Sequence, residues 1–175
     1  RRSISRGARM KVRFESDPVT RLVVRPPAES QGKRHQVVEP WKFYVDSSAI
    51  TVPPGFWTDW ASIPRPARAI LDRDGPWARA ALAHDFLYFV TYRDSRAVCD
   101  AVLYQGMVTD GVGMLCRNTI YYAVRAGGYW TWNRYRQNRY HAKISLAKMP
   151  TKREGMQFTV TVADWDRGGD DVAIA

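Results

Sequence analysis

The sequence predicts an α+β fold: a small antiparallel β-sheet from the N-terminal half, packed on a bundle of about three α-helices. Residues 37–52 carry the clearest β pattern, with Trp41-Lys-Phe-Tyr-Val45 alternating toward a turn at Asp46-Ser47-Ser48 and a return over Ala49–Val52. From Pro76 onward the apolar period changes to that of helices. Strands first and helices second is the order of an α+β domain, not of alternating βαβ units.

In chain order, Arg1, Arg2, Arg6, Arg9 and Lys11 make residues 1–11 a basic arm with little apolar content. Residues 12–145 form the single domain, and 146–175 a C-terminal strand and tail. Val12 and Phe14, a turn at Asp17-Pro18, then Leu22-Val23-Val24 read as strand, turn, strand. Pro53-Pro54-Gly55 ends the hairpin. Gly55–Pro64 packs Phe56, Trp57 and Trp60 around Asp59, a turn with Ser62 as a possible cap. This stretch is either a capped loop under an apolar lid or a wall of a site, with Asp59 or Ser62 turned toward His84. Residues 66–71 allow one or two helical turns.

The first main helix follows Gly75-Pro76, because proline suits a first helical position and the alanines and leucines of 78–88 favour helix. Ser95 or Asp94 caps a second helix over Arg96–Met107, with an apolar stripe of Ala97, Asp100, Ala101, Tyr104, Met107 and Val108. A third runs from about Val112 to Ala126 and ends at Gly127-Gly128. Tyr129–His141 mixes aromatic and basic residues. It suits a helix with its aromatics on the core, or a surface for bases or lipid. Met156–Ala163 alternates as a strand that returns to the sheet or joins a partner.

The net charge of +10 favours an anionic neighbour: nucleic acid, phospholipid or an acidic protein surface. No window suits a membrane span, and the arginine-rich start lacks the apolar core of a signal peptide. Cys99 and Cys116 fall in amphipathic helices and make neither a zinc set nor a disulfide framework.

Chemistry gathers at His84, Asp85, Tyr88 and Asp100. Trp77, Ala81, His84 and Tyr88 share one helical face. Asp100 sits inside the stripe of the next helix, where a solvated carboxylate does not belong. A short connection favours antiparallel packing, which lets His84 face Asp100 with Tyr88 beside it. A histidine oriented by a buried carboxylate can serve as a general base. Asp85 can hold a cation alongside.

The string Gly55-Phe56-x-Thr58-Asp59-x-Ala61-Ser62-Ile63-Pro64, then His84-Asp85-x-x-Tyr88, then Asp100, resembles an uncharacterised domain family of tailed-phage and prophage genomes, over roughly residues 37–130. More distantly, His-Asp-x-x-Tyr followed by an Asp on an antiparallel helix is similar to the core of phospholipase A2 enzymes, including the minimal form in parvovirus capsids. That likeness implies His84 as the water-activating base, Asp100 as its orienter, Tyr88 as a brace on Asp100, and Asp85 as a ligand of Ca²⁺ or another divalent cation. No counterpart of the Gly-rich calcium loop is present. Asp72, Asp74 or the Asp59 turn would supply the further oxygens of a six- to eight-fold calcium shell.

Three functions remain open at this point. The first is a tailed-phage, virion-associated protein of the tail or tail tip, made in the host cytoplasm without a signal peptide, whose His/Asp site hydrolyses an ester or amide of the host envelope. The second is a purely structural virion component. There the same cluster is a buried network, and the basic arm and C-terminal strand bind neighbouring subunits. The third is non-specific nucleic-acid binding.

Overall fold

The structure, a computed structural model, describes residues 10–60 and 75–137 and the backbone of 152–153 and 156–157. Ser62, Asp72, Asp74, His141, the turns at 66–71, the basic arm to residue 9 and most of the C-terminal strand lie outside the described residues.

The predicted α+β class is the fold observed. Among the described residues six strands precede three α-helices: β1 (Val12–Phe14), β2 (Thr20–Leu22), β3 (His35–Val37), β4 (Trp41–Val45), β5 (Ser48–Val52), β6 (Trp57–Thr58), α1 (Ala78–Phe89), α2 (Arg96–Thr109) and α3 (Met114–Gln137). A short antiparallel pair, β7 (Lys152–Arg153) and β8 (Met156–Gln157), follows.

The hairpin expected at 37–52 is β4–β5, paired Trp41↔Val52 through Val45↔Ser48, with Asp46 in the left-handed region at φ 55°. Alternation sends Trp41, Phe43, Val45, Ile50 and Val52 into the core. The strands do not form one sheet, however. β1 pairs with β4 while β2 pairs with β3, giving two three-stranded antiparallel sheets ordered β1-β4-β5 and β2-β3-β6. Asp17-Pro18 therefore carries the chain from one sheet to the other instead of closing a hairpin. The Trp41 indole N–H fixes that crossing by donating to the Ser16 carbonyl at 2.9 Å.

The inner faces of the strands and α1 share one core in which Phe43, Val52, Phe56, Leu82, Phe86 and Leu87 are buried. A second cluster, with Trp77, Ala80, Leu103, Met107 and Ile120, lies among the three helices. α1 and α2 are joined by a tight reversal with Thr91, Arg93 and Asp94 at φ 51°, 49° and 49°. Ser95 caps α2 by accepting from the Val98 N–H.

Two expectations about the helices need correction. The buried face of α2 is Cys99, Asp100, Val102, Leu103, Gly106 and Met107, while Ala97 is exposed. The stripe is rotated because α2 packs on α1 and α3 together. And α3 does not stop at Gly127-Gly128 but runs on to Gln137. A helical glycine costs only about 1 kcal/mol, and here the missing side chain is what lets the helices approach.

Gly106 shows the same economy. A Cβ there would lie 2.9 Å from Ala80 Cβ and 3.0 Å from Phe14 Cζ. Gly106→Ala should therefore lower stability by about 1 kcal/mol in chemical denaturation, overpacking outweighing the gain in helix propensity. No helix among the described residues is long and apolar enough to cross a membrane.

Candidate functional site

Asp100 is the centre of the site. It is fully buried on α2 and takes hydrogen bonds from both neighbouring helices. From α1, His84 Nε2 lies 2.9 Å from Asp100 Oδ1, and the Tyr88 hydroxyl donates to the same oxygen at 2.6 Å. From α3, Arg125 Nη1 donates to Oδ2 at 2.6 Å. Arg96, one turn before Asp100, lies 4.0 Å from Oδ2 and donates from Nη1 to the Arg125 carbonyl at 3.0 Å, fastening α2 to α3.

Burial alone would raise the Asp100 carboxyl. The hydrogen bonds from His84, Tyr88 and Arg125 together outweigh it and hold the group below the usual carboxylate range. Burial and the adjoining carboxylate both push the Tyr88 hydroxyl far above its ordinary range, so it stays a donor.

An ionised Asp100 can only accept, so the proton between it and His84 belongs to Nε2. Whenever the imidazole is neutral its lone pair is therefore on Nδ1, which has no hydrogen-bond partner among the described residues. The ring packs at a tilt against Tyr88, centroids 4.1 Å apart, and Tyr88 meets Trp132 edge-on at 5.2 Å, so its orientation is fixed by packing as well as by the acid.

A cleft of about 170 Å³ adjoins this cluster, lined by His84, Asp85 and Tyr88 with Trp60, Leu103 and Val124 among its other walls. Its size is close to that of an engineered cavity that accepts benzene. Gly127 and Gly128 belong to its α3 wall. A Cβ on Gly128 would sit 2.7 Å from the Tyr88 hydroxyl oxygen, which Asp100 holds in place. Gly128→Ala should therefore cost about 1 kcal/mol in thermal unfolding although alanine is the better helix former.

Asp85 is bonded differently. Its Oδ2 accepts from Thr58 Oγ1 at 2.6 Å, and the Trp60 backbone N–H donates to that hydroxyl at 2.9 Å. Trp60 sits at φ 64°, an unusual conformation for a bulky residue. Its place is held by this bond and by a buried indole that meets the His35 ring edge-on. Trp60, just beyond β6, lines the cleft and Thr58 bonds Asp85, but Asp59, expected to turn toward His84 or to ligate a cation, is bonded elsewhere. Asp59 accepts from the Arg34 N–H at 3.0 Å.

Burial raises the Asp85 carboxyl, while Lys33, Thr58 and His84 pull the other way without cancelling it. Such a carboxyl binds its proton more readily in the folded chain. Ionisation then costs stability, with no cost below the ordinary carboxylate range and the full cost above the folded value. Asp85→Asn, which still accepts from Thr58, should flatten that slope and raise stability at neutral pH in denaturation series across pH.

A divalent cation at Asp85 does not fit these surroundings. The carboxyl is raised by burial, which disfavours its charged form, is bonded by Thr58 and has the Lys33 ammonium as a counter-charge. Among the described residues no group of three His, Cys, Asp or Glu gathers to hold a metal. Both cysteines are free, Cys99 buried and Cys116 half-buried.

The structure thus brings His84, Tyr88 and Asp100 together as the sequence expects, with Asp85 beside them. Arg125, Thr58 and Lys33 are additions. Arg96, at helical spacing from Asp100, was the one legible hint that a cation attends the acid.

Fold and site define a small α+β protein whose helices converge on one sealed carboxylate. The chain belongs to a domain family of unknown function, DUF1353, whose sequence model matches residues 35–124, just over half of its length. No curated protein and no solved structure matches it.

Proposed function

We propose that this chain is a hydrolase in which His84 activates water, acting on an ester or amide of the host envelope as part of a tailed-phage particle. The observation that carries the chemistry is the pairing of His84 Nε2 with a buried, ionised Asp100 beside a cleft. Water at Nδ1 gives its proton to the imidazole as its oxygen attacks the carbonyl carbon. Asp100 stabilises the imidazolium that forms, and the proton passes to the leaving oxygen or nitrogen as the tetrahedral intermediate collapses. The phage setting rests on the motif resemblance at Gly55–Pro64, His84–Tyr88 and Asp100. No step is assigned to a metal.

One observation favours a second reading, a structural virion component. Arg125 and Tyr88 satisfy Asp100 alongside His84, so the cluster also ties α1, α2 and α3 together. A buried network of this kind specifies one helix arrangement without any chemistry. The two readings part on turnover of phospholipid vesicles or purified peptidoglycan by the wild type and by His84→Gln. Turnover lost in a folded variant supports the hydrolase. Absence of turnover in the wild type leaves the structural reading standing.

A further inference from the structure

The side of α3 turned away from the cleft exposes several large apolar side chains. Leu115, Tyr122 and Tyr129 recur every two turns and are all exposed, Leu115 at 83%, and Trp130 beside them is 79% exposed. Ile120, Val124 and Thr131, which line the cleft, fall on the opposite side of the same helix. Single exposed apolar residues need no explanation, but a row along one helix face does.

Charge narrows what can cover it. α3 contains Arg117, Arg125, Arg134 and Arg136 and no acidic residue, within a chain of net charge +10. Arg125 and Arg136 are paired with Asp100 and Asp94, whereas Arg117 bonds the Val112 carbonyl and Arg134 the Gln31 side-chain oxygen, neutral acceptors that leave those two positive charges in place. A second copy of α3 would bring arginine against arginine with no acid to pair. Nucleic acid would match the charge and stack on Trp130, but it gives nothing to Leu115 or to Met114, also exposed on this helix. A bilayer takes both kinds of group: aliphatic and aromatic side chains enter the acyl boundary while arginines reach the headgroups.

We propose that the outer face of α3 docks on an anionic phospholipid bilayer, lying in the plane of the interface. The inference does not depend on His84 chemistry, and docking this way leaves the cleft lining uncovered.

The test is co-sedimentation of the full chain with vesicles of phosphatidylglycerol and phosphatidylcholine, against vesicles of phosphatidylcholine alone. Binding should favour the anionic vesicles and weaken as salt is added. The double variant Leu115→Ser/Trp130→Ser should weaken it by at least about tenfold, the loss expected when two large apolar side chains no longer leave water. Ala126→Glu, which places an acid on the exposed row in a residue that favours helix, should weaken it as well. Equal binding to both vesicle types, no binding to either, or variants that bind like the wild type would overturn the proposal. So would retention of duplex DNA, with a steep salt dependence, by a chain that leaves vesicles in the supernatant.

Discussion

Asp100→Ala should lose about 3–5 kcal/mol of folding stability, the cost typical of removing one partner from a buried charged network. The acid itself is fully buried, and its removal strands the imidazole of His84, the hydroxyl of Tyr88 and the guanidinium of Arg125 at once. Arg125 is the least harmed, since its side chain is 35% exposed and can turn to water. Equilibrium denaturation of the two proteins measures the difference. A loss below about 1 kcal/mol, the usual net worth of one ordinary hydrogen bond, would mean that the carboxylate does not organise the helices. The variant should also change acid unfolding. Asp100 is held below its ordinary range in the fold, so its contribution is complete above that range and disappears as pH falls through the folded value. Asp100→Ala should remove that segment of the wild-type stability curve.

The second large effect concerns activity. His84→Gln keeps a side-chain N–H able to reach toward Asp100 but has no nitrogen that can take a proton at neutral pH. If the chain hydrolyses an envelope ester or amide, turnover should fall by about 10²–10⁴-fold, the usual contribution of a general base. Stability should fall by no more than about 1–3 kcal/mol, because Tyr88 and Arg125 still satisfy the acid. If the cluster is structural, Gln instead restores function in whatever assembly the chain joins. Rescue by Gln with undiminished turnover would therefore count against His84 as the base.

The parts of this site that were legible are those that violate a local rule. Asp100 stands among apolar residues of a helix, which demands a partner, and His84 and Tyr88 lie one turn apart on the helix that a short connection folds back against it. Arg125 obeys the ordinary rule for an arginine on a helix, so nothing in the sequence marks it. Its contact with Asp100 exists because α3 crosses both other helices, a tertiary fact. Thr58 is hidden for the same reason, its role depending on the turn at Trp60. The misread boundaries also have physical causes. Gly127-Gly128 carries the chemistry of a helix stop, yet Gly128 is there for the Tyr88 hydroxyl. Asp17-Pro18 carries the chemistry of a hairpin turn, yet its strands find partners in different sheets. The β4–β5 hairpin was readable because its alternation, its turn and its pairing all lie within one local segment.

Nitrogen NMR of the protein labelled in its histidine rings, recorded where His84 is neutral, reads the proton between His84 and Asp100 directly. An ionised, sealed Asp100 requires that proton on Nε2, with Nδ1 bare. A signal from His84 with the proton on Nδ1 would mean that Asp100 is not the ionised acceptor, and the base, its orienter and the proposed chemistry would go with it.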